Sequence, residues 1–170
     1  MFEKLRMRKE KIEKYNKEKF EDLVKIIFKE SLSEIEPIAH IENVPIIKNN
    51  YIMKLTGTIF AVTLLNNKGE YYIIVDSLFD ELSNETKQFV LAHELAHKHL
   101  KHLEQMSGSG FLSNIDNEIE ADKFASKRYG IDIAINSLDE LIKVAKNILT
   151  TVQFLYFKKM IKKRKKYLSK

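Results

Sequence analysis

The alternation of apolar and polar positions predicts helices towards both ends of the chain and short strands between them. Apolar residues recur at near-helical spacing over residues 11–32, which predicts a helix there. Residues 37–47, interrupted by two prolines, are predicted to form a connecting segment with room for a short strand. Residues 58–65 and 71–75 are rich in β-branched and aromatic side chains, and the Asn-Asn-Lys-Gly sequence between them favours a hairpin. Residues 51–55 are the predicted third strand of this sheet.

Three helical patterns follow the hairpin. The first covers residues 89–102 and reads F-V-L-A-H-E-L-A-H-K-H-L-K-H, with Ser83 upstream as the predicted N-cap. The second covers residues 117–129 and reads N-E-I-E-A-D-K-F-A-S-K-R-Y. Before the third, Ser137 and Glu140 predict a capping box that begins an amphipathic helix. The second half of the chain is therefore predicted to be helical.

The first of these helices carries the motif H-E-x-x-H, formed by His93, Glu94 and His97. Helical positions four apart lie on one face, so the two imidazoles can converge on one metal ion while Glu94 lies beside it. Apart from His93 and Glu94, residues 89–96 are apolar, and an ionised carboxylate is costly in such surroundings unless it is paired or bound. The motif therefore predicts His93 and His97 as zinc ligands and Glu94 as a general base.

The second helix offers a third ligand, because a catalytic zinc ion normally has three protein ligands. Glu118 and Glu120 are both available. Glu118 shares a helical face with Asp122 and with alanines that let another helix approach, whereas Glu120 points nearly opposite, towards lysines on a solvated face. The spacing favours Glu118 and keeps Glu120 as the alternative. Asp122 is then predicted to hold a ligating histidine from behind and fix its tautomer.

The composition narrows the class of protein. There is no cysteine, which excludes a disulfide framework, a thiol nucleophile and a cysteine metal site. The first residues lack the apolar core of a signal peptide, and no uncharged apolar run approaches the roughly 20 residues of a membrane span. We therefore expect a cytoplasmic protein without a transmembrane segment.

Positive charge is concentrated near the C-terminus. Residues 141–170 contain ten lysines or arginines and no acid, while the net charge of the whole chain is +5. A solvated tail is the first interpretation, and binding of nucleic acid or another anionic surface through residues 158–170 is the alternative. No helix-turn-helix, zinc-finger or RNA-binding signature accompanies this charge.

The sequences Q-F-V-L-A-H-E-L-A-H and N-E-I-E-A-D-K-F-A resemble the motifs of the ImmA/IrrE family, which are small zinc metallo-endopeptidases often encoded on phages and mobile elements. The resemblance covers about residues 57–129. It implies one Zn²⁺ per chain, held by His93, His97 and Glu118, with Glu94 as the catalytic base. It also implies a protein or peptide substrate, such as a helix-turn-helix repressor of a phage or mobile element, and hence a role in transcription regulation.

The chain departs from that family pattern in two places. After Phe124 and Ala125 it continues as S-K-R-Y-G, which is closer to membrane-associated zinc proteases, although the chain has no predicted spanning segment. The histidine that often follows the motif has two counterparts, His99 and His102, and both are interpreted as non-ligands because they do not share the face of the motif histidines.

Pattern and resemblance together predict an α+β fold: a mainly helical zincin-like domain with a small three-stranded antiparallel sheet packed beside the H-E-x-x-H helix. We divide the chain into an N-terminal helical segment (1–36), a metallopeptidase core (37–136) and a C-terminal amphipathic helix with a basic tail (137–170) within one compact domain. At 170 residues, there is room for one such domain with its own core.

Three functional hypotheses follow. The first is a zinc-dependent endopeptidase that acts on a protein substrate. The second is a regulatory or binding protein that keeps the zincin fold without turnover. The third is a nucleic-acid-associated factor that works through the basic C-terminal residues, and its binding would weaken steeply with salt.

Overall fold

The computed structural model describes residues 36–50, 53, 58–66, 68–105 and 114–169. The helix predicted over residues 11–32 lies outside these residues, as does all but the last residue of the predicted N-terminal segment. The fold is α+β, as predicted, and the described residues include every predicted site residue.

Among the described residues the sheet has four strands and is mixed, so the prediction of three antiparallel strands is wrong. Its spatial order is β1-β2-β4-β3, with β1 and β2 antiparallel, β3 and β4 antiparallel, and β2 and β4 parallel. The parallel pair sets Ile46 beside Ile73, which is far from it in sequence, and a pairing of this kind leaves no local turn signal. The strands are β1 (Ala39–Ile41), β2 (Val44–Lys48), β3 (Ala61–Leu65) and β4 (Tyr71–Val75).

The predicted hairpin is confirmed as β3 and β4. The side chain of Asn66 accepts hydrogen bonds from the backbone N–H groups of Lys68 and Glu70, both at 2.9 Å, and Gly69 takes a positive φ of 79° that suits glycine. The predicted third strand at residues 51–55 lies mostly outside the described residues. Its described member, Met53, donates its N–H to the carbonyl four residues earlier, which is a helical turn.

The helices pack on one another and on the sheet, with the H-E-x-x-H helix at the centre. A 3-10 helix at Ser77–Glu81 leads into it. The H-E-x-x-H helix contacts β3 as well as the next two long helices, and its residues Phe89, Ala92 and Leu95 are fully buried. The α-helices are α1 (Asn84–His99), α2 (His102–Gln105), α3 (Ile115–Tyr129), α4 (Ile131–Ala145) and α5 (Thr151–Leu168).

The start of α1 is fixed by its own cap and by α4. Ser83 is the N-cap, as predicted, and its hydroxyl accepts from the N–H of Thr86 at 3.3 Å. The predicted Ser137 and Glu140 capping box is wrong, because both residues lie inside α4. The Glu140 carboxylate instead accepts from the N–H and hydroxyl of Ser83, at 2.8 and 2.6 Å, and from the Thr86 hydroxyl. Glu140 therefore ties α4 to the first turn of α1.

Seven of the ten basic residues counted in 141–170 lie in one packed helix. A capping box of Thr150 and Gln153 begins α5, which contacts both α3 and α4 and continues to Leu168. Lys165 bonds Asp139 of α4 at 2.6 Å, and Arg164 points into the fold. The interpretation of a solvated tail is therefore wrong for these two residues. Among the described helices, none combines the length and apolarity needed to cross a membrane.

Candidate metal centre

Two neighbouring helices bring three potential ligands to one point. His93 and His97 lie one turn apart on α1, and Glu118 comes from α3, whose alanines allow the two helices to approach closely. The two Nε2 atoms are 3.3 Å apart, and Oε2 of Glu118 is 3.2 Å from Nε2 of His93. Oε1 of Glu118 is 3.6 Å from Nε2 of His97. One ligand atom from each residue lies within 4.8 Å of the others, so the three predicted ligands are together.

These separations fit a small tetrahedral cation. Two ligands that each lie about 2.0–2.1 Å from a tetrahedral zinc ion are roughly 3.3–3.4 Å from each other. The Nε2 to Nε2 separation of 3.3 Å and the nearest nitrogen to oxygen separation of 3.2 Å are close to that value. Two imidazoles and one carboxylate are also a donor set that catalytic zinc sites use. The residues therefore fit a zinc ion in both chemistry and spacing.

The other ring nitrogen of each histidine is held by a partner. Nδ1 of His93 is 2.8 Å from Oδ1 of the fully buried Asp122, as predicted. Nδ1 of His97 is 2.9 Å from Nδ1 of His102, whose own Nε2 is 3.2 Å from Oε2 of Glu120. When each ring is neutral with its proton on Nδ1, both Nε2 lone pairs face Glu118, and His93 reaches that state when a cation takes the place of its Nε2 proton. Both rings are thus oriented for binding a cation.

Glu94 is held from the sheet. The hydroxyl of Thr63, on β3, lies 2.8 Å from Oε2 of Glu94 and 2.8 Å from its carbonyl oxygen. Both residues are buried. Burial raises the pKa of the Glu94 carboxyl, while the positive charge of His93 and the bond from Thr63 oppose that rise. A buried carboxyl with a raised pKa beside potential metal ligands has the properties of a general base.

Comparison with protein families addresses the same part of the chain. Residues 66–131 match the Peptidase_M78 family model, the IrrE N-terminal-like domain. The resemblance to the ImmA/IrrE family is thereby confirmed over this segment, and the match supports a metallopeptidase-type function. Comparisons with curated proteins and with solved structures found no match. The IrrE-like segment contains the three potential ligands as well as Glu94 and Asp122.

The charged groups around the three potential ligands shift one another's pKa values. Burial lowers the pKa of His97 to about 3, and the charge of His93 adds to this effect. For His93, burial and the charge of Arg164 act against protonation, but hydrogen bonds to Asp122 and Glu118 outweigh them and raise the pKa to about 10. Burial likewise opposes ionisation of Glu118, yet the bond to His93 and the positive charges nearby lower its pKa. Glu118 is therefore ionised, which suits a potential oxygen ligand of a cation.

Arg164 is a residue of the site that the sequence interpretation missed, and it lies outside the IrrE-like segment. Its Nε and Nη2 bond the two carboxylate oxygens of Asp122 at 2.7 and 2.6 Å, and its Nη1 is 3.3 Å from Oε2 of Glu118. The helical spacing of the apolar residues around Arg164 could have indicated that its side chain points inward. Arg164 is three residues after Ile161 and four before Leu168, and both of these are buried.

The remaining histidines and acids near the motif differ in role. His102 is 2 % exposed and bonds His97, so it belongs to the site without being in the potential ligand group. His99 is half-exposed and pairs with Glu42 of the β1–β2 turn at 2.8 Å. Glu120 has an exposed side chain, as predicted, and contacts His102. The signal for His102 in the sequence was its position five residues after His97, a predicted ligand.

Proposed function

We propose that the chain is a zinc-dependent endopeptidase that hydrolyses a peptide bond in a protein substrate. The supporting observation is the convergence of His93, His97 and Glu118 on one point, with the buried carboxylate of Glu94 on the same helix as the histidines. The peptidase family match over residues 66–131 agrees with this chemistry. These observations together support a cation site with a general base beside it.

The chain's own residues have separate tasks in this mechanism. A zinc ion held by His93, His97 and Glu118 supplies Lewis acidity, which makes water acidic near neutral pH and polarises a carbonyl group. The Glu94 carboxylate takes the proton of the attacking water and passes it to the departing amine, so hydrolysis needs no covalent link to the protein. Asp122 holds the Nδ1 proton of His93, so that the neutral ring presents an unprotonated Nε2 to the cation.

The position of β3 supports a substrate bound in extended conformation. β3 forms one edge of the described sheet, and its Thr63 contacts Glu94 directly. An extended peptide can add to such an edge through main-chain hydrogen bonds, which hold the backbone in register. A peptide bound there runs beside the base. We therefore propose that β3 is the rail for the substrate segment.

For the substrate itself we propose a helix-turn-helix repressor of a phage or mobile element, on the strength of the family resemblance. A cytoplasmic location and a role in transcription regulation belong to the same proposal. Contact with nucleic acid through residues 158–170 stays a prediction. It is checked by measuring whether DNA binding falls steeply between low and high salt.

The test is cleavage of a candidate repressor by the purified protein. We expect about one zinc ion per chain by elemental analysis, defined repressor fragments, loss of cleavage after treatment with a chelator, and recovery on adding zinc. Mass spectrometry of the fragments identifies the cleaved bond. Zinc binding without cleavage of any repressor or extended peptide would contradict the proposal and favour a non-catalytic binding protein.

Replacement of Thr63 by valine is expected to reduce kcat/KM with little change in zinc content. Valine has nearly the same shape but cannot bond Glu94, and a hydrogen bond to a charged group is worth about 1.5–3 kcal/mol, which corresponds to roughly a 10- to 100-fold loss. Thr63→Ser keeps the hydroxyl and serves as the control. The measurement is peptide hydrolysis at matched zinc content, and equal rates for the valine variant and the parent would contradict the assigned contact.

A further inference from the structure

The guanidinium of Arg164 differs from the other cationic groups around it on α5. Lys162, Lys163 and Lys166 are exposed, whereas the Arg164 side chain is 12 % exposed and faces α3. Burying a guanidinium is costly unless its charge and its N–H groups are matched. The groups that match it belong to the metal centre.

The contacts of Arg164 constrain two carboxylates at once. Its planar fork bonds both oxygens of Asp122, and this arrangement permits one orientation of that carboxylate. In that orientation Oδ1 of Asp122 also reaches Nδ1 of His93 at 2.8 Å. The third nitrogen, Nη1, is 3.3 Å from Oε2 of Glu118, the oxygen that lies nearer to His93. One side chain therefore orients a potential ligand directly and a second one through Asp122.

Arg164 also balances charge. Glu94, Glu118 and Asp122 are three carboxylates within one buried site, and a single divalent cation does not neutralise all of them. The fixed positive charge of Arg164 supplies the remainder, because a guanidinium stays protonated at any physiological pH. Without it, Asp122 would be a fully buried carboxylate with His93 as its one remaining partner among the contacts described above.

We propose that Arg164 is a positioning residue of the metal centre, which fixes Asp122 and Glu118 and thereby makes tight metal binding depend on the docking of α5. This inference rests on the metal centre of the proposed function and extends it. The IrrE-like segment ends at residue 131, so the centre is completed by a helix outside the matched family domain. A displacement of α5 would lower the metal affinity of the site, although none of its three potential ligands lies on α5.

The test uses the full chain with Arg164→Lys and Arg164→Met, and Lys163→Met as the matched control on the exposed face of the same helix. Zinc affinity is measured by competition with a chromophoric chelator, and the fold is followed by circular dichroism and thermal melting. Cobalt(II) is the second probe, because its visible absorption reports the geometry of its ligands. Loss of a partner behind a metal ligand typically costs about 10–100-fold in metal affinity.

We expect Arg164→Met to lose about 10–100-fold in zinc affinity and to show an altered cobalt spectrum. Arg164→Lys, which keeps the charge and loses the fork, should lie between Arg164→Met and the parent. Lys163→Met should match the parent. A role in stability alone would lower the melting temperature and leave the cobalt spectrum unchanged, which would overturn the proposal.

The proposal for Arg164 would also be overturned if Arg164→Lys bound zinc as tightly as the parent. If Arg164→Met does not fold, the result for Arg164→Lys is sufficient to test the proposal. The double variant Asp122→Asn with Arg164→Met removes both members of the buried pair and tests their coupling. We expect its loss of zinc-binding free energy to be smaller than the sum of the losses in the two single variants, since Arg164 acts partly through Asp122. Failure of the proposed function is distinguishable, because in that case the parent itself would bind no zinc, or would bind zinc without hydrolysing any peptide, and neither result depends on Arg164.

Discussion

Replacement of Glu94 by glutamine is expected to remove nearly all peptide hydrolysis while the protein keeps its fold and its zinc. The amide has the shape of the carboxylate and can still accept a hydrogen bond from Thr63, but it cannot take a proton from water. General base catalysis by a positioned side chain contributes about 10²–10⁴-fold to a rate, so we expect a loss of that order in kcat. The measurement is turnover of a peptide spanning the cleaved bond.

The matched control is Glu85→Gln, a glutamate of the same helix that is exposed in its first turn. It should retain the rate of the parent. Zinc content of all three proteins is determined in parallel, so that a lost metal is not mistaken for a lost base. A Glu94→Gln variant that hydrolyses the peptide as fast as the parent would show that another group accepts the proton.

Replacement of Glu118 by glutamine is expected to cause the largest loss of metal affinity among single changes to carboxylates. An amide oxygen carries no charge and is a poor zinc ligand. The zinc-binding free energy of structural sites with four protein ligands is about 10–16 kcal/mol. Each of those ligands therefore contributes about 3 kcal/mol on average, or roughly a hundredfold in affinity. Chelator competition on the purified variant measures this directly.

Glu120→Gln is the control for that experiment, because the sequence offered Glu120 as the alternative ligand. Its side chain is 63 % exposed, and its bond to His102 can also be accepted by an amide oxygen. We expect zinc affinity within about threefold of the parent, as for most exposed polar contacts. The reverse ranking of the two variants would mean that α3 is rotated relative to the arrangement described above.

Helical periodicity predicted the local arrangement of the site. The H-E-x-x-H spacing placed two histidines on one face, the Ser83 cap located the start of their helix, and the alanines of α3 distinguished Glu118 from Glu120. Each of these inferences concerns residues within one helix. Such relations are fixed by a repeat of 3.6 residues, and tertiary packing alters them little.

Contacts between distant elements could not be predicted in this way. Arg164 reaches Asp122 across 42 positions, and the pattern of the C-terminal helix showed a run of cations without showing which of them points inward. The side chain of Glu140 serves the start of another helix, although a capping box with Ser137 fitted its local sequence. The parallel pairing of β2 with β4 likewise depends on a crossover. These features follow from packing rather than from sequence spacing.

The contact between Thr63 and Glu94 has a consequence for the catalytic cycle. The threonine hydroxyl has a single hydrogen and two acceptors at the same separation, the carboxylate and the carbonyl of Glu94. While Glu94 is ionised, that hydrogen can point to the carboxylate. Once Glu94 holds a proton, the hydroxyl can turn to the carbonyl and offer its lone pair to the acid. The Thr63 hydroxyl can therefore adjust each time Glu94 gains or loses a proton. The adjustment is a rotation about its C–O bond, and no heavy atom needs to move.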